Sequence, residues 1–294
     1  MYNRAMLIYN GKAGQQDWAG LLGSVSAILA PAVRELLLYQ TLKPGDGEQV
    51  CKERGEEFDL VFIMGGDGTV HECINGLARL QAPPLIGILP AGTCNDFARS
   101  LNLPPDPLLA AQQLLQGRRR YVDLGVAGDR VFTNFYGIGL ITEASDNISS
   151  GLKGALGKIS YFISTLQTVR SAEPFRYRLE WEGGTLEDEA VMIYVSNGRF
   201  LGTQPLPFPN NALEDGKLDV MVIREAGLPL LKELLSRKNQ EEWRPGDESI
   251  SYFQATRVAL STAKPMKADM DGEKYLDTPA KLQVSSQALQ FLTG

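Results

Sequence analysis

The chain has 294 residues, 44% of them hydrophobic, and a formal net charge of −6, so it can bury a large core at a length where one core usually gives way to two domains. The acidic balance argues against nucleic acid as a partner, because phosphate-backbone binding rests on clustered Lys and Arg. Cys51, Cys73 and Cys94 share no CxxC spacing and read as reduced cytosolic thiols rather than disulfides or a zinc site, and no apolar run approaches the roughly 20 residues that span a bilayer.

Residues 1–4 lead straight into a strand-like run at 5–9, without a signal segment. A helix is expected at 18–30, a strand at 35–39, a helix at 47–55 and a strand at 60–64, the rhythm of a parallel α/β sheet. The pattern continues with a helix at 70–80, a buried strand at 85–89, a helix start at 95–100 and a helix at 108–116 that ends at Gly117. Arg118-Arg119-Arg120 and the following Tyr121-Val122-Asp123 change the texture of the chain. The domain boundary is therefore expected there, with residues 1–122 in the first domain and 123–294 in the second, the last residues being free to return to the first.

Beyond the boundary, 131–136, 175–181, 190–196, 217–223, 257–261 and 281–284 are strand-like runs between Gly, Pro, Asn and Asp turns. Helical patches interrupt them at 159–170 and 228–236. The predicted architecture is α/β: a three-layer, parallel-sheet nucleotide-binding domain, followed by a mainly antiparallel β-sandwich.

Phe62-Ile63-Met64 runs into Gly65-Gly66-Asp67-Gly68-Thr69 and then into a helix. Strand, glycine turn and helix make phosphate-binding geometry, since several backbone N–H groups converge at the positive end of a helix dipole. A carboxylate in such a turn implies a cation or a proton-transfer task; the plainer reading of Asp67 is a helix N-cap. Pro90-Ala91-Gly92-Thr93-Cys94-Asn95-Asp96-Phe97 follows the next strand, and Tyr9-Asn10-Gly11-Lys12-Ala13-Gly14 follows the first. Parallel strands deliver such loops to one edge of the sheet.

These motifs, with Glu72 and Asn75-Gly76 after the first glycine turn, resemble the bacterial diacylglycerol kinase and lipid kinase family, related to sphingosine and ceramide kinases within the NAD kinase-like superfamily. The resemblance covers essentially the whole chain. It implies an ATP- and Mg2+-dependent kinase of a membrane lipid, most simply diacylglycerol. On it, Asn10, Lys12, Gly14, Thr41, Gly65, Gly66, Asp67, Gly68, Thr69, Gly92, Thr93, Asn95 and Asp96 bind the nucleotide. Gly11 stands where the family usually has proline, and His71, the single histidine, where asparagine is common; beside the turn His71 reads as a polar flank.

For the chemistry, the resemblance places the family's Asp-Gly-Glu motif at Asp271-Gly272-Glu273. Glu273 is then the first choice for the general base, Asp67 the second, and Asp271 a further catalytic carboxylate; without the family the segment reads as an Asp-Gly hairpin turn. Asp123 resembles a metal-side carboxylate, with an ion pair to the adjoining arginines as the plain alternative. Asp215 with Ala212 and Lys217 resembles a second magnesium site of one carboxylate and two carbonyls, or else an ordinary Asp-Gly turn. Asn134, residues 137–139 and Ser196-Asn197-Gly198 follow the family pattern as site-lining residues.

Residues 202–209 depart from the glycine-rich stretch usual in the family and leave the acceptor open. Lipid access is expected around 148–162, where Lys153 and Lys158 would meet anionic headgroups, with an ordinary amphipathic core helix as the plainer reading. The implied enzyme is cytoplasmic and touches the inner face of the membrane peripherally, and a homodimer is compatible with it. Two alternatives stay open: a kinase of a soluble acceptor of the NAD kinase type, and a lipid-binding regulator without turnover.

Overall fold

Strands that are apolar on both faces must be covered by helices on both sides. In the computed structural model, which describes residues 1–11, 17–142, 173–206, 208, 212–225 and 250–294, such strands are β1 (Tyr2–Tyr9), β3 (Leu60–Gly65) and β4 (Leu85–Pro90), with β2 (Val33–Gln40) at the edge. They pair in parallel in the order β2-β1-β3-β4, Ala5 lying opposite both Leu36 and Leu60, and Leu60 opposite Leu85.

The order reverses direction after β2. With right-handed crossovers, the helix between β1 and β2 falls on one face of the sheet and the helices after β2 and β3 fall on the other. Accordingly α1 (Trp18–Leu29) packs with α5 (Pro107–Gln116), and α2 (Asp46–Arg54) packs with α3 (Asp67–Leu77). The short α4 (Asp96–Ser100) follows β4. Helix, sheet and helix make the three layers of the first unit, which comprises Met1–Val122 and Gln287–Gly294.

The second unit, Asp123–Ser286, is built on antiparallel strands. After β5 (Arg118–Ala127) and β6 (Arg130–Phe132) come β7 (Phe135–Gly139), β8 (Phe175–Trp181), β9 (Gly184–Ala190), β10 (Met192–Ser196) and the small hairpin of β11 (Phe200–Leu201) and β12 (Gln204–Pro205). The chain ends with β13 (Leu218–Ile223), β14 (Ile250–Ala255), β15 (Arg257–Thr262), β16 (Lys267–Met270), β17 (Glu273–Asp277) and β18 (Ala280–Thr293). One sheet runs β14-β13-β10-β7-β16-β17, and facing it β15 pairs with the first part of β18 and with β8, which pairs with β9. Alternation sorts the side chains: Ile193 and Val195 join Phe132, Leu179, Val220, Val258 and Leu260 in the core between the sheets, while Met192 and Tyr194 pack with Phe135 and Met221 on the other face.

The strand expected at 131–136 is split, because β6 ends at Phe132 and β7 begins at Phe135; a carboxylate described below takes the intervening N–H groups. β9 escapes sequence reading because its residues Thr185–Glu189 carry no apolar alternation, as suits a charged edge strand. In β18 the polar run Ser285-Ser286-Gln287 conceals a strand far longer than the expected 281–284, and Gln287 takes a positive φ of 50°. α3 begins at Asp67 rather than at 70, directly out of the glycine turn. The helical patches expected at 159–170 and 228–236, and the lipid-access segment 148–162, lie outside the described residues.

α2 and α3 approach each other closely at Gly76. A Cβ there would collide with the Glu48 carbonyl oxygen and stand 2.7 Å from Cys51 Cβ. Gly76→Ala should therefore force the helices apart and cost about 1–3 kcal/mol, as overpacking does, read as a lower urea midpoint at unchanged m-value.

Candidate active site

In open parallel sheets the ligand crevice lies beyond the carboxyl ends of the strands, where strand order reverses. Here that point falls between β1 and β3. Asn10 follows β1, and Thr41, just past β2, donates its backbone N–H to Tyr9 O at 2.9 Å. Lys12 and Gly14 of the same loop lie outside the described residues.

β3 delivers Gly65 and Gly66 to this edge. Gly66 is the N-cap of α3, and no side chain caps that helix, so its first turn, with Gly68 and Thr69, presents backbone donors and a positive dipole end to an anion. The loop after β4 reaches the same turn: a Cβ on Gly92 would collide with Gly66 Cα, so the two loops touch backbone to backbone. Asn95, at a left-handed φ of 54°, closes that loop by accepting Gly92 N–H on Oδ1 and donating from Nδ2 to Gly92 O, both at 2.9 Å. Asp67 does not cap its own helix; its Oδ1 accepts Phe97 N–H at 3.3 Å and ties the glycine turn to the start of α4. Asp96 is buried at that start, and Thr93 is exposed on the loop.

The single histidine proves to be a core residue rather than a polar flank. His71 is fully buried in α3, its Nε2 3.2 Å from Asn75 Nδ2.

In the second unit, Asp271 and Gly272 have φ of 54° and 94°, the positive pair that a two-residue hairpin turn requires, and they join β16 to β17. The turn is not solvated as an ordinary one would be. Asp271 Oδ1 accepts the N–H of Asn134 at 2.8 Å and of Phe135 at 2.9 Å, while Oδ2 accepts the N–H of Thr133 at 2.8 Å and its hydroxyl at 3.1 Å. This pin separates β6 from β7. Both oxygens of Asp271, expected to be a further catalytic carboxylate, are held by backbone donors here. Buried Asp269 closes the turn by accepting Gly272 N–H at 2.8 Å. Glu273 is half-buried, and its carboxylate makes no hydrogen bond or ion pair among the described residues.

A second group of acids surrounds the turn before β13. Buried Asp123 accepts Gly216 N–H on Oδ2 at 2.7 Å and donates its own N–H to Leu213 O at 2.7 Å. Asn197 Nδ2 bridges Asp123 O and Thr133 O at 3.0 and 2.9 Å. Asp215 Oδ1 accepts Lys217 N–H at 3.0 Å; partial burial raises its carboxyl above the ordinary value, and the Asp123 charge adds to the rise. Asp219 accepts the Tyr252 hydroxyl at 2.5 Å and Gln254 Nε2 at 3.0 Å on one oxygen, and burial pushes it up to about 6. Ala212 and Lys217 are exposed beside this group.

Crowded acids of this kind suit a hard divalent cation, which would relieve their mutual repulsion. Among the described residues no three His, Cys, Asp or Glu side chains converge as ligands. A cation here would rest on one carboxylate with carbonyl and water oxygens, the set expected of Asp215, Ala212 and Lys217. Sequence reading gave Asp219 no role. Its signal was present, a carboxylate inside the apolar run Leu218–Ile223.

Comparisons with known proteins follow this geometry. Residues 4–127 match the family model described as diacylglycerol kinase catalytic domain, and residues 140–293 match the YegS C-terminal NAD kinase beta sandwich-like domain. A Staphylococcus epidermidis protein with a provisional lipid-kinase name is 33% identical over 100% of this chain and 97% of its own length. A solved structure of a provisionally named diacylglycerol kinase from Bacillus anthracis superposes with a TM-score of 0.91 at 36% identity, covering 100% of this chain and 97% of that one. An NAD kinase from Archaeoglobus fulgidus, at 14% identity and a TM-score of 0.55 over 99% of this chain and 93% of that one, shares the fold.

Two outcomes test the local energetics. Asp271→Asn turns an amide toward backbone donors and should cost several kcal/mol, on the order of 3–5 for a buried hydrogen-bonded charge, seen in urea unfolding. For Asp219, a carboxyl raised when folded makes the native state bind more protons than the unfolded chain, so its own contribution to stability is full below about pH 4 and falls as pH rises toward 6. In magnesium-free buffer Asp219→Asn should flatten that fall, worth about 2–3 kcal/mol between pH 4 and 7.

Proposed function

Because the chain belongs to the bacterial diacylglycerol kinase and lipid kinase family, we propose that it transfers the γ-phosphate of Mg-ATP to the hydroxyl of a membrane lipid, diacylglycerol first among them. The observation that carries the nucleotide half is the backbone contact of Gly66 with Gly92, which brings two polar loops onto one uncapped helix N-terminus. Phosphoryl transfer asks a protein chiefly to position and to neutralise charge. The first turn of α3 and the Gly92–Asp96 loop take the phosphates, and Thr41 and Asn10 border the rest of the nucleotide.

Magnesium, when bound, spreads the charge of the phosphate oxygens. Asp67, beside the glycine turn, is the carboxylate we assign to it. Asp215, with the carbonyls of Ala212 and Lys217, takes a second ion, and Asp123 steadies that turn through Gly216. Glu273 accepts the proton of the lipid hydroxyl. It is preferred to Asp67 because its carboxylate makes no bond among the described residues, whereas Asp67 already joins two loops. No helix among the described residues is long and apolar enough to cross a membrane, which fits an enzyme that meets its lipid from the aqueous side of the inner face.

Transfer of labelled γ-phosphate to a panel of lipids in mixed micelles tests this reading, with NAD as a soluble acceptor. Wild type should label diacylglycerol, and Glu273→Ala should lower turnover by about 10²–10⁴-fold, the usual worth of general-base catalysis, with the fold retained by circular dichroism. Labelled NAD would move the reading to a soluble-acceptor kinase, and no labelled product would favour a binding protein.

A further inference from the structure

Glu72 lies on the face of α3 turned toward α2, and the proposed chemistry leaves it without a task. α2 needs help at its start. Its N-cap is Gly45, and no side chain at that position can bond the first-turn N–H groups. Glu72 supplies the missing acceptor from the next helix: Oε1 accepts Gly45 N–H at 2.9 Å and Oε2 accepts Gly47 N–H at 3.2 Å. Its charge also suits the positive end of the α2 dipole.

The connection continues beyond α2. Asp46, the first residue of that helix, accepts the N–H groups of Leu42 and Lys43 on Oδ2 at 2.8 and 3.1 Å. The Leu42 bond leads the effects that hold its carboxyl below the ordinary value. Thr41, the next residue back, donates N–H to Tyr9 O at 2.9 Å with its hydroxyl at 3.4 Å from the same oxygen. A continuous chain of bonds thus runs from the helix of the glycine turn, through Glu72, Gly45, Asp46 and Thr41, to the end of β1. The loop after β2 is anchored both to α3 and to the end of β1.

We infer that Glu72 is a positioning residue for nucleotide binding, which holds the 41–45 loop against the glycine turn so that the pocket exists before ATP arrives. The inference rests on the nucleotide reading proposed above. Preorganisation of this kind improves affinity by removing an ordering cost at binding. It also predicts a sign that simple electrostatics reverses: removing a negative charge near a triphosphate should tighten binding, whereas removing an anchor should weaken it.

The experiment measures Mg-ATP binding to the full chain by calorimetry without lipid, for wild type, Glu72→Gln and Asp46→Asn, together with the melting temperature of each. Asp46 is half-buried and bonds the backbone of exposed Leu42 and Lys43, so its variant is the milder change should Glu72→Gln not fold. Both variants, folded at the assay temperature, should bind ATP about tenfold more weakly, on the scale of one or two lost charged hydrogen bonds. In lipid phosphorylation KM for ATP should rise by the same factor while kcat stays near wild type. Unchanged or tighter binding by folded variants overturns the inference and leaves the kinase reading standing. A wild-type protein that binds no ATP removes the nucleotide reading and this inference with it.

Discussion

Backbone N–H groups stranded where helices begin and strands break must find acceptors, since a buried unpaired donor costs free energy comparable to a lost hydrogen bond. In this protein carboxylates repeatedly fill that need. Asp271 takes three successive N–H groups between β6 and β7, Glu72 and Asp46 together take four around the start of α2, Asp67 reaches the first turn of α4, and Asp123 holds Gly216. Part of the acidic balance of the chain is thereby explained as architecture, and the polar loops owe their shape to it.

The same accounting separates acids that hold the backbone from acids that do not. A carboxylate with both oxygens bound to backbone donors is a poor proton acceptor, whatever motif it belongs to. Asp271 and Glu273 are two residues apart on one hairpin, yet one is pinned by four donors and the other makes no bond among the described residues. Asp271 and Asp269 are the foundation of the turn from which Glu273 emerges. Asp215 and Asp219 form a third kind, acids raised by burial and by their neighbours, whose surplus charge favours a cation.

In the first unit, positions without side chains matter as much as the carboxylates. Gly76 lets α2 lie against α3, and Gly92 lets the second loop touch Gly66. Because α3 carries the glycine turn on its first residues and Glu72 one turn later, its placement and that of the turn's backbone amides are one event. Hydrogen bonds from Glu72 and Asp46, joined by the backbone between them, tie the start of α2 to both α3 and the 41–43 segment.

The sequence by itself determined the order of layers and the identity of the glycine loops. Apolar runs of five or six residues, such as 60–64 and 85–89, alternate with helical stretches, and burial on two faces leaves few other folds; local turn chemistry marks Gly65–Thr69 and Gly92–Asp96. Charged or polar strands stayed hidden, because Thr185–Glu189 and the middle of β18 carry no hydrophobic period and are held by pairing with distant strands. Only tertiary structure decided which acids are pins: the partners of Asp271 lie 136 to 138 residues away and those of Glu72 25 to 27 away, and the state of a carboxylate depends on donors that only folding brings within bonding distance.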